Sequence, residues 1–408
     1  HRQSSAASDV YKRQIQHKSR EVFRIHWIGF SEGCVGLLKC LNPNYLHDSC
    51  QPLKNNVAER KLMSEFISQK LGRWEGEARP LFLAPMSGVT DLPFRLLAKE
   101  CGADVTITEF TNSTALSRAA TASWRKMESH ETEVPFIPQI FGGDAKDMVT
   151  AAEMLAPNCD VIDLNFGCPA PKVTKICAGA ALMGEPDNLV SMVSDIVESV
   201  DVPVTAKMRL GTGASTHNAI EICQRLEQVG AQRLCVHGRT LRQRYSGVAD
   251  WEYIKGVVDS VEVPVIANGD VIDSNSAAKC LEKTNASGLM IGRGAIGRPA
   301  MFGYLKVGLG WMEESELPWV KINDDWQELD EIEQAFATRK WCWDKYIELS
   351  KATIGIQPRW MQRHAVAFTK GLPGGKKIRS IMHDMPTPED FADAISEFLL
   401  GKTDVTSK

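Results

Sequence analysis

No two of the eleven cysteines are spaced CxxC: Cys34, Cys40, Cys50, Cys101, Cys159, Cys168, Cys177, Cys223, Cys235, Cys280 and Cys342 stand apart along the chain. That scatter removes the usual ligand pattern of a zinc site, and no metal is expected. The odd number, with several thiols inside apolar runs, suits reduced and buried cysteines in a cytoplasmic protein. Also missing is any run of about 18 apolar residues, so nothing is expected to span a membrane. Neither sign of charge dominates: 47 Lys and Arg stand against 51 Asp and Glu, a formal net charge of −4. A polyanionic partner would have to be met by a local patch. One local absence points to such a patch, because residues 351–383 contain no Asp or Glu.

The chain also lacks an initiator methionine, and its opening "HRQSSAASDVYKRQ" is polar and aperiodic, which reads as non-native sequence. Residues 15–62 scatter Cys and Trp without a repeating apolar pattern, whereas Met63 opens the helical pattern "MSEFISQKLGRW" and is the expected natural start. A transit peptide is the competing reading, and Glu21, Glu32 and Asp48 weigh against it. Residues 1–76 are therefore expected to be an extension, largely disordered or non-native before Met63.

What is present is a rhythm. The chain has 408 residues, 43% hydrophobic and 24% charged, which suits a globular protein of two domains. From Pro80 onward, short apolar runs recur at 81–84, 105–108, 136–140, 161–165, 204–208, 233–236, 265–267 and 288–291. Between them lie amphipathic segments such as "DLPFRLLAKEC", "DAKDMVTAAEMLA", "DNLVSMVSDIVESV", "THNAIEICQRLEQVG" and "SNSAAKCLEKT", with Asp, Ser or Thr near their starts. Eight strand–helix units in unbroken sequence predict a (β/α)₈ TIM barrel over residues 77–308; an open doubly wound sheet is the alternative. Residues 309–402 are expected to form an acidic connection, densest at 313–333, and an all-helical domain.

Polar residues gather where the strands are expected to end: Met86, Glu109, Gln139, Asn165 and Cys168, Lys207 and Arg209, His237 and Arg239, Asn268 and Gly269, Gly292 and Arg293. In a barrel those ends converge on the face that carries active sites. The glycine turns "ANGD" and "IGRGAIGRP" precede helices where barrels commonly hold a phosphate, with Arg293 as a further partner, although tight turns need Gly anyway. Lys207 lies in the otherwise apolar or small strand "PVTAKMRLG". A cation there needs an anion or an electron-rich ring and suits the N1–O2 edge of FMN, against the alternative of a snorkelling lysine. His237 alone reads equally as a core histidine.

The stretch "DLNFGCPAPK" places a thiol between Gly167, which lets the chain turn, and Pro169, which stiffens it. A thiol held at a strand end beside a reduced flavin can protonate one carbon of a C=C bond while the neighbouring carbon takes hydride. Cys177, Cys223 and Cys235 read as structural thiols.

Together, "LAPMSGVTDLPFR", "PQIFGGD", "DLNFGCPAPKV", "AGAALM", "VTAKMRLG", "VHGRTLRQRYSGVADW", "VIANGDV" and "MIGRGAIGRP" resemble the tRNA-dihydrouridine synthase family, in order and spacing from about Pro80 to Pro299. The "CPAPKV" form is most similar to the bacterial and archaeal general type. The resemblance implies FMN held by Pro85, Met86, Gln139, Lys207, His237, Asn268, Gly269, Gly292 and Arg293, with Cys168 as general acid and Asn165 and Arg209 near the uracil. It also implies NADPH, or NADH, as reductant. The acid-free stretch carries Lys351, Arg359, Arg363, Lys370, Lys376, Lys377 and Arg379 with Trp360, His364 and Phe368 among them. On its own it reads as a solvated face. The resemblance turns it into a tRNA-binding surface, with Arg363, Lys376, Lys377 and Arg379 as expected contacts. A small-pyrimidine flavoenzyme of the dihydroorotate dehydrogenase kind would not need those helices, and a non-catalytic tRNA-binding factor would not need Cys168.

Overall fold

The eight apolar runs become strands wrapped around one interior. The computed structural model describes residues 78–401, apart from 214–215, 382–384 and 386; the expected extension and the start at Met63 lie outside the described residues. The strands are β1 (Leu81–Leu83), β2 (Val105–Thr106), β3 (Thr111–Asn112), β4 (Gln139–Phe141), β5 (Ile162–Phe166), β6 (Val204–Met208), β7 (Leu234–His237), β8 (Val265–Asn268) and β9 (Gly288–Ile291). They form one sheet in the order β2-β1-β9-β8-β7-β6-β5-β4-β3. Every pairing is parallel, with registers such as Phe82 opposite Met290 and Asn165 opposite Lys207.

Thr108 closes the ring. Its N–H donates to the Ile137 carbonyl at 3.0 Å, and its Oγ1 accepts from Gln139 N at 3.0 Å, joining the chain after β2 to the start of β4. The fold is thus a TIM barrel followed by helices, as the rhythm predicts. Strand β3 is an addition that the apolar runs do not announce, because its two residues, Thr111 and Asn112, carry no apolar signal.

The connecting helices include α1 (Leu92–Glu100), α2 (Ala145–Leu155), α3 (Pro186–Ser199), α4 (Ala219–Gln228), α5 (Trp251–Val258), α6 (Ser274–Thr284) and α7 (Met301–Gly308). Four start at an aspartate whose side chain accepts a backbone N–H: Asp91 from Phe94, Asp144 from Asp147, Asp250 from Tyr253 and Asp273 from Ser276. Such a cap contributes about 1 kcal/mol, and it sets where each helix turns away from the strand end before it.

Inside the barrel, Phe82, Val105, Ile107, Ile137, Val161, Ile266 and Met290 pack together. A polar set is buried with them. Asp163 accepts from Gln139 Nε2 at 2.6 Å and Thr205 Oγ1 at 2.5 Å, while Arg233 donates to Thr205 at 3.1 Å and lies over the Phe82 ring at 5.0 Å. Buried polar groups that satisfy one another fix side-chain positions more tightly than apolar contacts do.

Beyond Gly308 the chain is helical, with α8 (Glu331–Ala352), α9 (Pro358–Phe368), α10 (Gly375–Ile381) and α11 (Pro388–Leu399). These helices share the apolar core of the barrel's outer face. Helix α8 lies against α1, where the Sγ atoms of Cys101 and Cys342 are 3.9 Å apart and Tyr346 donates to Asp91 Oδ2 at 2.8 Å. His364 of α9 stacks on Phe94 of α1, with ring centroids 4.9 Å apart.

Candidate active site

A cavity of about 900 Å³ opens where the strands end. One wall is the loop from β1 to α1. Its turn is held by Thr90, whose Oγ1 accepts from Met86 N at 3.0 Å, and by Val89 N and Thr90 N donating to the Met86 carbonyl. Gly88 stands at φ +72°, a conformation that side chains disfavour, and its N–H donates to Glu109 Oε1. The other oxygen of that carboxylate is buried without a hydrogen-bond partner. Burial pushes the Glu109 pKa up, and the Gly88 N–H offsets part of the effect.

The opposite wall carries the thiol. Asn165, at the end of β5, accepts from Gly167 N at 3.1 Å and from Cys168 N at 2.9 Å through one oxygen. Its amide nitrogen donates to Gln139 Oε1 at 2.7 Å, which connects the turn to the buried polar set. Arg209 clamps the same turn from the other side, donating to the Gly167 carbonyl at 2.7 Å and to the Thr240 and Arg244 carbonyls at 2.9 and 2.8 Å. Cys168 is therefore fixed through its backbone by two side chains. Burial raises its thiol pKa, with the Ala170 N–H and the charges of Arg209 and Lys207 pulling back, so the sulfur carries its proton at neutral pH.

Lys207 projects from β6 and is 9% exposed. Its ammonium donates to a neutral amide, Asn268 Oδ1, at 3.1 Å, and Asn268 is oriented by its own bond to the Met290 carbonyl at 2.7 Å. Burial lowers the Lys207 pKa. His237, one strand over, is held well below the usual imidazole value by burial and then by the charges of Lys207 and Arg209, which makes it neutral at pH 7. Gly269 follows Asn268 at φ +121°; a Cβ there would come within 2.8 Å of the Ala249 side chain and 3.0 Å of the His237 ring. Only glycine lets the backbone line the cavity at that point.

At the mouth, Asp270 accepts from both terminal nitrogens of Arg239 at 2.8 Å, from Ala249 N at 2.7 Å and from Arg293 at 3.3 Å. The guanidinium groups of Arg209 and Arg293 lie over the Tyr245 ring, 5.6 and 4.9 Å from its centroid. The cavity thus joins a fixed protonated thiol, a desolvated cation and a cationic mouth. The family model described as "Dihydrouridine synthase (Dus)" matches residues 82–397, from β1 through the last helix. The chain belongs to the dihydrouridine synthase family.

Relatives of this dihydrouridine synthase include the "Probable tRNA-dihydrouridine synthase" of Rickettsia conorii, 35% identical over 324 residues, 78% of this chain and 92% of that protein. The protein of the same description from Rhodobacter capsulatus is 41% identical over 241 residues, 59% of this chain and 74% of that one. "tRNA-dihydrouridine synthase B" of Pasteurella multocida is 34% identical over 302 residues, 72% and 90% of the two chains.

Most residues expected at the synthase's site line this cavity: Pro85, Met86, His237, Asn268, Gly269, Gly292 and Arg293, together with Asn165, Cys168, Lys207 and Arg209. Gln139 is placed differently. It is fully buried behind Asn165, and both ends of its amide are engaged by Asp163 and Asn165. Asn165 and Arg209, expected beside the substrate, both hold the Cys168 turn: the Asn165 oxygen accepts two N–H groups from it, and Arg209 gives it one of three bonds, the others going to the Thr240 and Arg244 carbonyls. The four basic residues expected to meet RNA lie outside the cavity and separate into two kinds. Lys376 and Lys377 are exposed. Arg379 donates to the Thr369 carbonyl at 3.1 Å, satisfying the end of α9, and Arg363 donates to the Gly88 carbonyl at 2.9 Å.

The strand-end pattern alone assigns no role to Asp270, Tyr245 or Glu109. For Asp270 a signal existed: "HGRT" and "NGD" follow adjacent strands and carry opposite charges two residues past their ends. Among the described residues, no group of His, Cys, Asp or Glu could hold a metal ion, and no helix is long and apolar enough to cross a membrane.

Proposed function

We propose that this dihydrouridine synthase reduces the C5=C6 bond of uridines in tRNA, using FMN in the cavity and Cys168 as the general acid. The observation that carries the reading is the thiol: protonated through burial, immobilised by Asn165 and Arg209, and facing the same cavity as Lys207.

The residues present fit FMN. About 900 Å³ lies within the ~300–1,000 Å³ range of cofactor pockets. Lys207 is a buried cation bonded to a neutral amide, which leaves its charge available to an electron-rich ring edge. The backbone at Gly269 and Gly292, with Arg293 beside them, offers N–H groups and positive charge for a phosphate. His237 and Asn268 would border the ring, and Pro85 and Met86 would cover it. When bound, FMN supplies the hydride that C6 receives, having taken it from NADPH or NADH.

The chain's own residues do the rest. A stacked uridine exposes neither face of its ring, so the base has to leave the RNA stack to enter the cavity. Arg209, whose pKa burial lowers to about 10, stays cationic at neutral pH and favours negative charge developing on a pyrimidine carbonyl. The remaining N–H of Asn165 is a further donor. Cys168 gives its proton to C5, so hydride and proton together saturate the bond. The exposed Lys376 and Lys377 would meet the tRNA backbone.

The test is chemical. Purified protein should be yellow and release FMN on denaturation, and tRNA from cells lacking the gene should lose dihydrouridine at a mapped position. Colourless protein that takes up no FMN would remove the mechanism, and an unchanged dihydrouridine map would remove the substrate.

A further inference from the structure

Gly88 is bonded from two sides. Its N–H is held by Glu109 from within the barrel, and its carbonyl accepts from Arg363 of α9 at 2.9 Å, across 275 residues of sequence. The approach is so close that a Cβ at Gly88 would sit 1.5 Å from the Arg363 guanidinium. Three residues on, the same loop is held again from the helical region, with Tyr346 donating to Asp91 Oδ2 at 2.8 Å. The loop that carries these anchors supplies Pro85, Met86, Ser87 and Val89 to the cavity wall. The basic helices and the cofactor-side loop are therefore mechanically one piece.

From this geometry we infer that Arg363 is a positioning residue which couples RNA binding on α9 to the cavity: one of its N–H groups fixes Gly88 while others meet RNA phosphate. The inference rests on the FMN and tRNA reading above. Arg363 is exposed, and one of its five N–H groups is engaged with Gly88, so donors remain for an anion. A phosphate that orders the guanidinium removes rotamer freedom the Gly88 contact would otherwise have to remove, and a group resting against the Met86–Val89 turn does the same from the cavity side. Each ligand then meets a linkage that the other has already ordered. Reciprocity follows: FMN raises tRNA affinity by the same factor by which tRNA raises FMN affinity.

The experiment measures the dissociation constant of an unmodified tRNA transcript for full-length protein with and without FMN. Wild type should show a ratio of about fivefold or more. Arg363→Gln and Gly88→Ala, which break the contact from opposite sides, should bring the ratio to one. Arg363→Lys, which keeps a donor, should restore part of it. Lys376→Gln should weaken both dissociation constants and leave the ratio as in wild type, a separation that loss of general basic charge would not produce. A ratio of one in wild type, or an unchanged ratio in both Arg363→Gln and Gly88→Ala, overturns the inference while leaving the proposed activity standing. Wild-type protein that binds no FMN or no tRNA overturns the activity reading and the inference with it.

Discussion

At Cys168, the proposed general acid, the backbone around the thiol is held in place. Asn165 accepts from Gly167 N and Cys168 N, and Arg209 donates to the Gly167 carbonyl, so the turn that carries the sulfur is held from two sides. Removing the sulfur alone should leave binding intact: Cys168→Ala is expected to retain FMN and tRNA affinity and to lose about 10²–10⁴-fold in reduction rate. The active form of a general acid is the protonated one. Turnover by the wild type should therefore hold at neutral pH and fall as pH rises through a thiol pKa that burial places above the ordinary value of about 8.5. Single-turnover rates across pH check both points. Unchanged turnover in Cys168→Ala would make the thiol structural.

At the scale of elements, α1 joins the barrel to the C-terminal helices. Asp91 caps it through Phe94 N at 3.2 Å and also accepts from Tyr346 of α8, so one carboxylate fixes both a helix start and a helix–helix junction. Asp91→Ala should cost about 2–4 kcal/mol, because the cap and a charge-assisted bond both go. Tyr346→Phe should cost about 1–2 kcal/mol, because only the second of these is removed. Urea unfolding of the two variants tests the order. If Tyr346→Phe is as damaging as Asp91→Ala, the cap contributes little at this site. Aspartates at the starts of α1, α2 and α6 were legible from the sequence because capping is local; β3 was not, since its pairing with β4 carries no local signal.

For the whole molecule, the basic surface divides by what its residues already hold. Lys376 and Lys377 are exposed, whereas Arg379 satisfies the end of α9. Replacing both lysines with Gln should lower the slope of log tRNA affinity against log salt by about 0.7–0.9 for each phosphate left without its counter-charge, and the melting temperature should stay where it is. Arg379→Gln should lower the melting temperature instead, because the Thr369 carbonyl at the C-terminus of α9 loses its donor. A salt slope unmoved by the double lysine variant would make α10 an ordinary solvated face.

The barrel was readable from the chain because strand and helix periods are local, and eight alternating units of that length leave few ways to close. Most of the cavity lining was readable for a related reason: in this fold the ends of successive strands meet, so polar residues at those ends must share a mouth. Side-chain partners were decided by the tertiary structure. Gln139 looked like a residue of the mouth, yet closure of the barrel turns it toward Asp163 and Asn165, where a buried amide finds partners for both of its ends. Arg363 looked like free positive charge until α9 packed on α1 and brought it against Gly88. A sequence specifies which groups can donate and accept. Only the fold specifies which of them, far apart along the chain, come within hydrogen-bonding reach.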